Sequence, residues 1–220
     1  MKACKVPHRF IPSLEPDRPL VLCDADEVLL QFMGSFERHL HKQGYLVSLK
    51  AFRLAGNIRH RASGNIASQQ EVERLLAAFF DEQVDDIPAV DGAVSALQSL
   101  AARAQILIIS NVPAHVEARR QKALEKLGMH FPLLSNKGPK GPVVCQFYAA
   151  MRAPVFFIDD LPPHHKSVAE LAPDVYRVHF IADPRLAALI DKADHADFRV
   201  DTWPEAAAHL HARLDMAGCQ

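Results

Sequence analysis

The chain has 220 residues, 49% of them apolar, and its 25 basic and 26 acidic side chains leave a formal charge of −1. That length supports one core domain with room for a smaller insert. The near-neutral balance offers no basic field for nucleic acid and no acidic tail, and no run of about 18 apolar residues is present to cross a membrane.

The opening residues, MKACKVPHRF, lack the apolar stretch of a secretory leader. Cys4, Cys23, Cys145 and Cys219 are scattered without CxxC spacing, so free thiols and a cytoplasmic protein are expected rather than a disulfide framework. Residues 1–18 are rich in proline without periodicity and read as an irregular arm. The apolar run Leu20–Cys23 follows. It is too short for a buried helix and too continuous for a half-exposed strand, which suits a parallel strand covered on both faces.

Residues 31–88 are too long for a single crossover and read as an inserted helical unit. Phe32, Met33, Phe36 and Leu40 make one helical face, closed by Gly44. Ser68 with Glu71 forms a capping-box pattern, and Val72, Leu75, Leu76, Phe79 and Phe80 continue it at helical spacing. Residues 85–90 read as the return linker. Beyond them come a helical pattern at 93–102, an apolar run at 106–109, a helix at 116–127 closed by Gly128, a helix at 143–151 and an apolar run at 155–158. Segments 175–181 and 198–200 are weaker strand candidates. Strand alternating with helix predicts an α/β protein: a Rossmann-like core with a mostly parallel sheet over 19–30 and 89–220, and a small all-helical cap over 31–88 after the first strand.

Each strong run ends in oxygen-bearing residues. Leu20–Cys23 meets Asp24, with Asp26 two places on; 106–109 meets Ser110 and Asn111; 155–158 meets Asp159 and Asp160. Ligands of open α/β sheets bind outside the carboxyl ends of the strands, so these side chains should converge. The loop NKGPKG supplies Lys140 just before a helix, with Lys137 a weaker substitute. Four carboxylates and one lysine leave excess negative charge, and each like pair at about 4 Å costs several kcal/mol in a partly buried setting. A hard divalent cation with oxygen ligands offsets this, and Mg²⁺ is the cation that keeps waters and meets substrate phosphates.

This ordered set resembles the haloacid dehalogenase-like hydrolase superfamily, over roughly residues 20–181. The first motif, DxDx(T/V), is DADEV at 24–28; the second, an apolar strand ending in Ser or Thr, is ILIIS ending at Ser110; the third is Lys140; the fourth, an apolar strand ending in an acidic pair, is FFIDD. The resemblance implies a phosphatase acting on a small phosphorylated metabolite. Asp24 would be the nucleophile that forms an aspartyl-phosphate, and Asp26 the general acid and then base. Ser110, Asn111 and Lys140, with backbone amides at the following helix start, would bind phosphate, Lys140 neutralising both the nucleophile and the phosphoryl charge. Mg²⁺ would be held by Asp24, the backbone carbonyl of Asp26 and the pair Asp159–Asp160, with Asp160 in direct contact and Asp159 outside it. Other readings on the same scaffold are a phosphomutase, a phosphonatase using a cap lysine such as Lys42 or Lys50, and a catalytically silent binding module. Asp26 argues against a dehalogenase, whose chemistry needs no leaving-group acid.

Two further features are read either way. Arg59, His60 and Arg61 form a basic loop in the cap that fits a substrate grip or a solvated turn. His164 and His165 fit a solvated helix start better than metal ligands, since a hard cation prefers oxygen. The sequence leaves the oligomeric state open.

Overall fold

A computed structural model of the chain describes residues 10–218. The expected arm at 1–18 therefore lies partly outside the described residues, as do Cys4 and Cys219. From Phe10 onward the arm packs. Phe10, Ile11 and Leu14 lie against the core, and Arg152 and Ala153 donate backbone N–H groups to the Pro16 carbonyl.

In chain order the elements are β1 (Leu20–Cys23), α1 (Phe32–Lys42), β2 (Tyr45–Val47), β3 (Ile58–His60), α2 (Gln69–Gln83) and α3 (Ala93–Ala101). Then come β4 (Gln105–Ser110), α4 (Glu117–Lys126), β5 (Leu133–Ser135), α5 (Gly141–Ala150) and β6 (Val155–Asp159). The chain ends with α6 (Pro162–Leu171), β7 (Tyr176–Phe180), α7 (Pro184–Ala187), β8 (Phe198–Val200) and α8 (Trp203–Met216). Six strands form one parallel sheet in the order β5-β4-β1-β6-β7-β8. This is the expected α/β Rossmann-like architecture.

The continuous apolar runs divide by alternation, because successive strand residues face opposite sides. Val21, Cys23, Ile106, Ile108, Phe156 and Ile158 face the layer that holds α3 and α8. Leu20, Leu22, Leu107, Ile109 and Phe157 face α5 and α6 through Val144, Phe147 and Val168. On that second face Gly141 lets the start of α5 approach Ser167 of α6, where any Cβ would collide with the Ser167 carbonyl.

The segment between β1 and α3 stands outside the large sheet. Its helices follow the predicted pattern. α1 buries Met33, Phe36 and Leu40 and is followed by Gly44 at φ 82°. α2 starts at the Ser68–Glu71 capping box, with both reciprocal bonds present, and buries Val72, Leu75, Phe79 and Phe80. The segment is not wholly helical, since β2 and β3 pair as an antiparallel hairpin. No helix among the described residues is long and apolar enough to cross a membrane.

The loop after Asp26 is held from three sides. Trp203, fully buried at the start of α8, donates its indole N–H to the Val28 carbonyl at 2.8 Å. Glu27 takes φ 64°, a left-handed conformation rare for a residue with a side chain. Its buried carboxylate accepts N–H bonds from Met33 and Asp183, both at 2.8 Å. Burial pushes this carboxyl up to about 7.

Candidate active site

The strand order reverses at β1: the chain builds outward through β4 and β5, then returns to β6 on the other side. That is the crevice where ligands of open α/β sheets bind. Asp24 leaves β1 there, Ser110 ends β4, and Asp159 and Asp160 end β6.

Lys140 joins these groups. Its side chain is fully buried, and its Nζ donates to Asp24 Oδ1 and, at 2.7 Å, to Asp159 Oδ2. Lys137 is exposed. Burial alone would lower the Lys140 ammonium, but Asp159 and Asp24 hold it charged, well above its usual value. Burial would likewise raise Asp159, but Lys140 and His164 more than offset it and keep that carboxyl well below the usual range. Asp24 is pushed up to about 6, first by burial; Lys140 pulls it down, and Asp159 pushes it up again. Asp160 is raised well above its usual value by burial and by Asp159.

The acidic pair at the end of β6 divides its contacts unequally. Asp159 Oδ1 accepts from the Leu161 N–H at 2.9 Å, and His164 Nδ1 lies 3.0 and 3.1 Å from its two oxygens, so with Lys140 its lone pairs are well used. No hydrogen bond among the described residues reaches the Asp160 carboxylate. Two buried histidines fix the backbone of the pair: His165 Nε2 donates to the Asp159 carbonyl and His179 Nε2 to the Asp160 carbonyl, each at 2.9 Å. One carboxylate oxygen each from Asp24, Asp159 and Asp160 lie within 4.8 Å of one another. Three carboxylates against one ammonium leave negative charge in a desolvated place, which suits a hard cation.

Asp26 stands apart from this cluster. Ser110 Oγ donates to its Oδ2 at 3.3 Å, and Arg120 Nη2 approaches its Oδ1 at 3.0 Å. The arginine is fully buried on α4 and lies over the Phe80 ring, 5.7 Å from the centroid. Neither its Nη2 nor Asp26 Oδ1 meets hydrogen-bond geometry, so the contact is electrostatic.

No protein-family model matches the chain, and no curated protein matches it. Solved structures do. A haloacid dehalogenase-like family hydrolase from Streptococcus pneumoniae superposes at a TM-score of 0.58 with 13% identity, over 90% of this chain and 100% of that one. A HAD family hydrolase from Deinococcus radiodurans R1, solved with bound phosphate and sodium, gives 0.58 with 17% identity over 93% and 98%. The HAD-hydrolase YfnB from Bacillus subtilis, bound to magnesium, gives 0.58 with 14% identity over 88% and 99%.

The chain has the haloacid dehalogenase-like fold. Within this haloacid dehalogenase-like core, the strand ends bring Asp24, Asp159 and Asp160 together, Lys140 joins them from the start of α5, and Asp26 and Ser110 pair beside them. A cavity of about 470 Å³ opens over them, lined by Asp24, Asp26, Lys140 and Asp160 on one side and by the segment between β1 and α3 on the other. Asn111 also lines it; its amide donates to the Gly138 carbonyl at 3.0 Å and accepts from Asn136 at 2.8 Å.

Several expectations need correction. α4 begins at Glu117, after a 3-10 turn at Ala114–Val116, so no helix N-terminus follows Ser110 directly; instead the Val112 N–H turns back to Ser110 Oγ at 3.3 Å. His164 and His165 are buried, not solvated, because Asp159 sits at the end of β6 and draws both rings inward. Arg59, His60 and Arg61 do not line the cavity. Arg59 donates to the Gly64 carbonyl, His60 pairs with Glu71 at 3.0 Å and packs on Tyr45, and Arg61 is exposed. Arg53 is the arginine of that segment that does reach it. Lys42 and Lys50 are exposed and take no part in the lining, so the lysine that a phosphonatase reading requires is absent from the cavity wall.

Two contributors were missed. The DDLPPHH sequence following β6 carries the His164 signal, five residues past Asp159. Arg120 carries none, since it lies in the charged run EARRQK and only the fold turns it inward.

Proposed function

We propose that the chain is a Mg²⁺-dependent phosphatase that hydrolyses a small phosphomonoester through an aspartyl-phosphate on Asp24. The supporting observation is the lysine bridge. Buried Lys140 contacts both Asp24 and Asp159, while the Asp160 carboxylate stands beside them with no hydrogen-bond partner among the described residues.

Lys140 keeps Asp24 available as an anion in a dry pocket and occupies only its Oδ1. Asp24 Oδ2 then bonds to phosphorus as the ester P–O bond breaks, and Asp26 gives its proton to the departing alkoxide oxygen. In the second half-reaction Asp26 takes a proton from water, which attacks phosphorus and frees Asp24 and inorganic phosphate. Ser110 holds the Asp26 carboxylate with its single O–H in the free site; turned toward substrate, that O–H would, with Asn111, hold phosphoryl oxygens at the end of β4.

The donor set fits Mg²⁺ by its chemistry: three buried carboxylates, oxygen only, underneutralised by one ammonium. Asp24, Asp160 and the Asp26 carbonyl would hold the ion, and Asp159, engaged by Lys140, Leu161 and His164, would act from the outer position. Once bound, the cation would supply charge compensation for the carboxylates and the phosphoryl oxygens.

Hydrolysis of an aryl phosphate by the purified chain tests the reading. Turnover should require Mg²⁺, stop with EDTA and be abolished in Asp24→Asn with the fold intact by circular dichroism. Activity near wild type in Asp24→Asn, or turnover indifferent to metal, would overturn it.

A further inference from the structure

The cavity above Asp24 has two unlike ends. Its floor carries the carboxylates and Lys140. Its opposite wall is apolar: Phe32 and Met33 from α1, Leu49, Phe52 and Leu54 from the loop between β2 and β3, and Leu76 from α2. All but Met33 of these are only partly buried and pack on the core with one side, leaving the other to the cavity. Large apolar side chains left half-covered around a concave space mark a ligand-binding surface. The volume of about 470 Å³ lies within the ordinary range for small-molecule sites, about 300–1,000 Å³.

Polar side chains are the minority of this wall: Arg53, Gln69 and Glu73 line it and are exposed. The Glu27 carboxylate is already taken by two backbone N–H groups. A polyhydroxylated leaving group laid against Phe32, Leu49, Phe52, Leu54 and Leu76 would bury hydroxyls against carbon and give up hydrogen bonds to water there. An apolar group would cover surface that is otherwise wet.

We propose that the substrate is a phosphomonoester of an apolar alcohol, aryl or branched alkyl, and not of a sugar or polyol. The proposal rests on the phosphatase reading for the phosphate end alone; the apolar preference comes from the wall.

Two measurements on the full chain separate the two claims. With Mg²⁺, kcat/KM for phenyl, 1-naphthyl and 3-methylbutyl phosphates should exceed that for glycerol 3-phosphate and glucose 6-phosphate by about tenfold to a hundredfold. Calorimetric binding of benzylphosphonate, which cannot be hydrolysed as an ester, should be at least about tenfold tighter than that of 2,3-dihydroxypropylphosphonate. Phe52→Ser and Leu76→Gln should each narrow both ratios by about tenfold. Apolar preference in binding without turnover of any ester would keep the inference and discard the phosphatase reading. Turnover with equal or greater preference for the polyol esters would keep the phosphatase and discard the inference, as would equal binding of the two phosphonates or failure of both to bind.

Discussion

Arg120 Nη2 lies 3.0 Å from Asp26 Oδ1, with the arginine side chain closed to solvent and the aspartate 18% exposed. The two are unequally dependent on each other. Removing Asp26 strands a buried guanidinium, whereas removing Arg120 leaves a carboxylate with some water and the Ser110 hydroxyl. Asp26→Ala should thus cost about 3–5 kcal/mol of stability, and Arg120→Met, which keeps much of the stem's volume, only about 1 kcal/mol. Urea unfolding of the two variants decides this; a larger loss in Arg120→Met would mean that Asp26 is not the arginine's counter-charge.

Glu27 combines an unfavourable backbone with a favourable side chain. Glu27→Ala keeps the left-handed φ and loses both acceptors; Glu27→Gly loses the acceptors and relieves the backbone. Each should destabilise by about 2–4 kcal/mol for the two abandoned N–H groups, with the glycine variant the better by about 0.5–1 kcal/mol. Thermal and urea unfolding should rank them in that order. The reverse ranking would show that the backbone here is unstrained.

At the contact of α5 with α6, Gly141→Ala would drive a methyl into the Ser167 carbonyl. The expected cost is about 2–3 kcal/mol, together with reduced aryl phosphate turnover, because Lys140 is the preceding residue. Ser167→Ala added to it should restore neither, since the backbone oxygen remains. Recovery in the double variant would place the conflict in the hydroxyl instead.

His179 carries a pH dependence of stability with a definite sign. Its Nε2–H donates to the Asp160 carbonyl and its Nδ1 accepts the Ala193 N–H, so the fold requires the neutral ring. Burial, then neighbouring His165, pushes it from 6.5 down to about 4. Between those values the unfolded chain binds the extra proton, so this contribution is present above about pH 6.5 and is lost as pH falls toward 4. The stability advantage of wild type over His179→Gln should shrink on going from pH 7.5 to 4.5, by up to about 3 kcal/mol. A difference that does not change with pH would exclude the neutral-ring requirement.

The sheet core was readable because doubly covered parallel strands are written as bare apolar runs, and Leu20–Cys23, Gln105–Ser110 and Val155–Asp159 stand where those runs stand. Asp24, Asp159 and Asp160 were readable because charge directly after such a run has to sit at a strand end, and Lys140 because the loop NKGPKG brings it to the start of α5. β5, a three-residue edge strand, and the hairpin of β2 and β3 leave too little alternation to register. The start of α6 was legible at His164 and His165, but their burial was not, since two polar rings behind a Pro-Pro pair read as solvated until Asp159 is placed beside them. Arg120 was unreadable in principle. Nothing local distinguishes it from its exposed or half-exposed neighbours Arg119 and Lys122; its partner Asp26 lies in the loop after β1, nearly a hundred residues earlier in the chain.

The central position of β1 has a consequence for biosynthesis. Lys140 follows Asp24 by 116 residues, and the strand that flanks β1 on its second edge comes later still. A ribosome thus releases the nucleophile long before its counter-ion, and β1 waits with one side paired to β4 and the other unpaired. Translation that stops near residue 150 would leave an apolar strand edge open to other chains, so premature termination should yield aggregate and not a weakened enzyme.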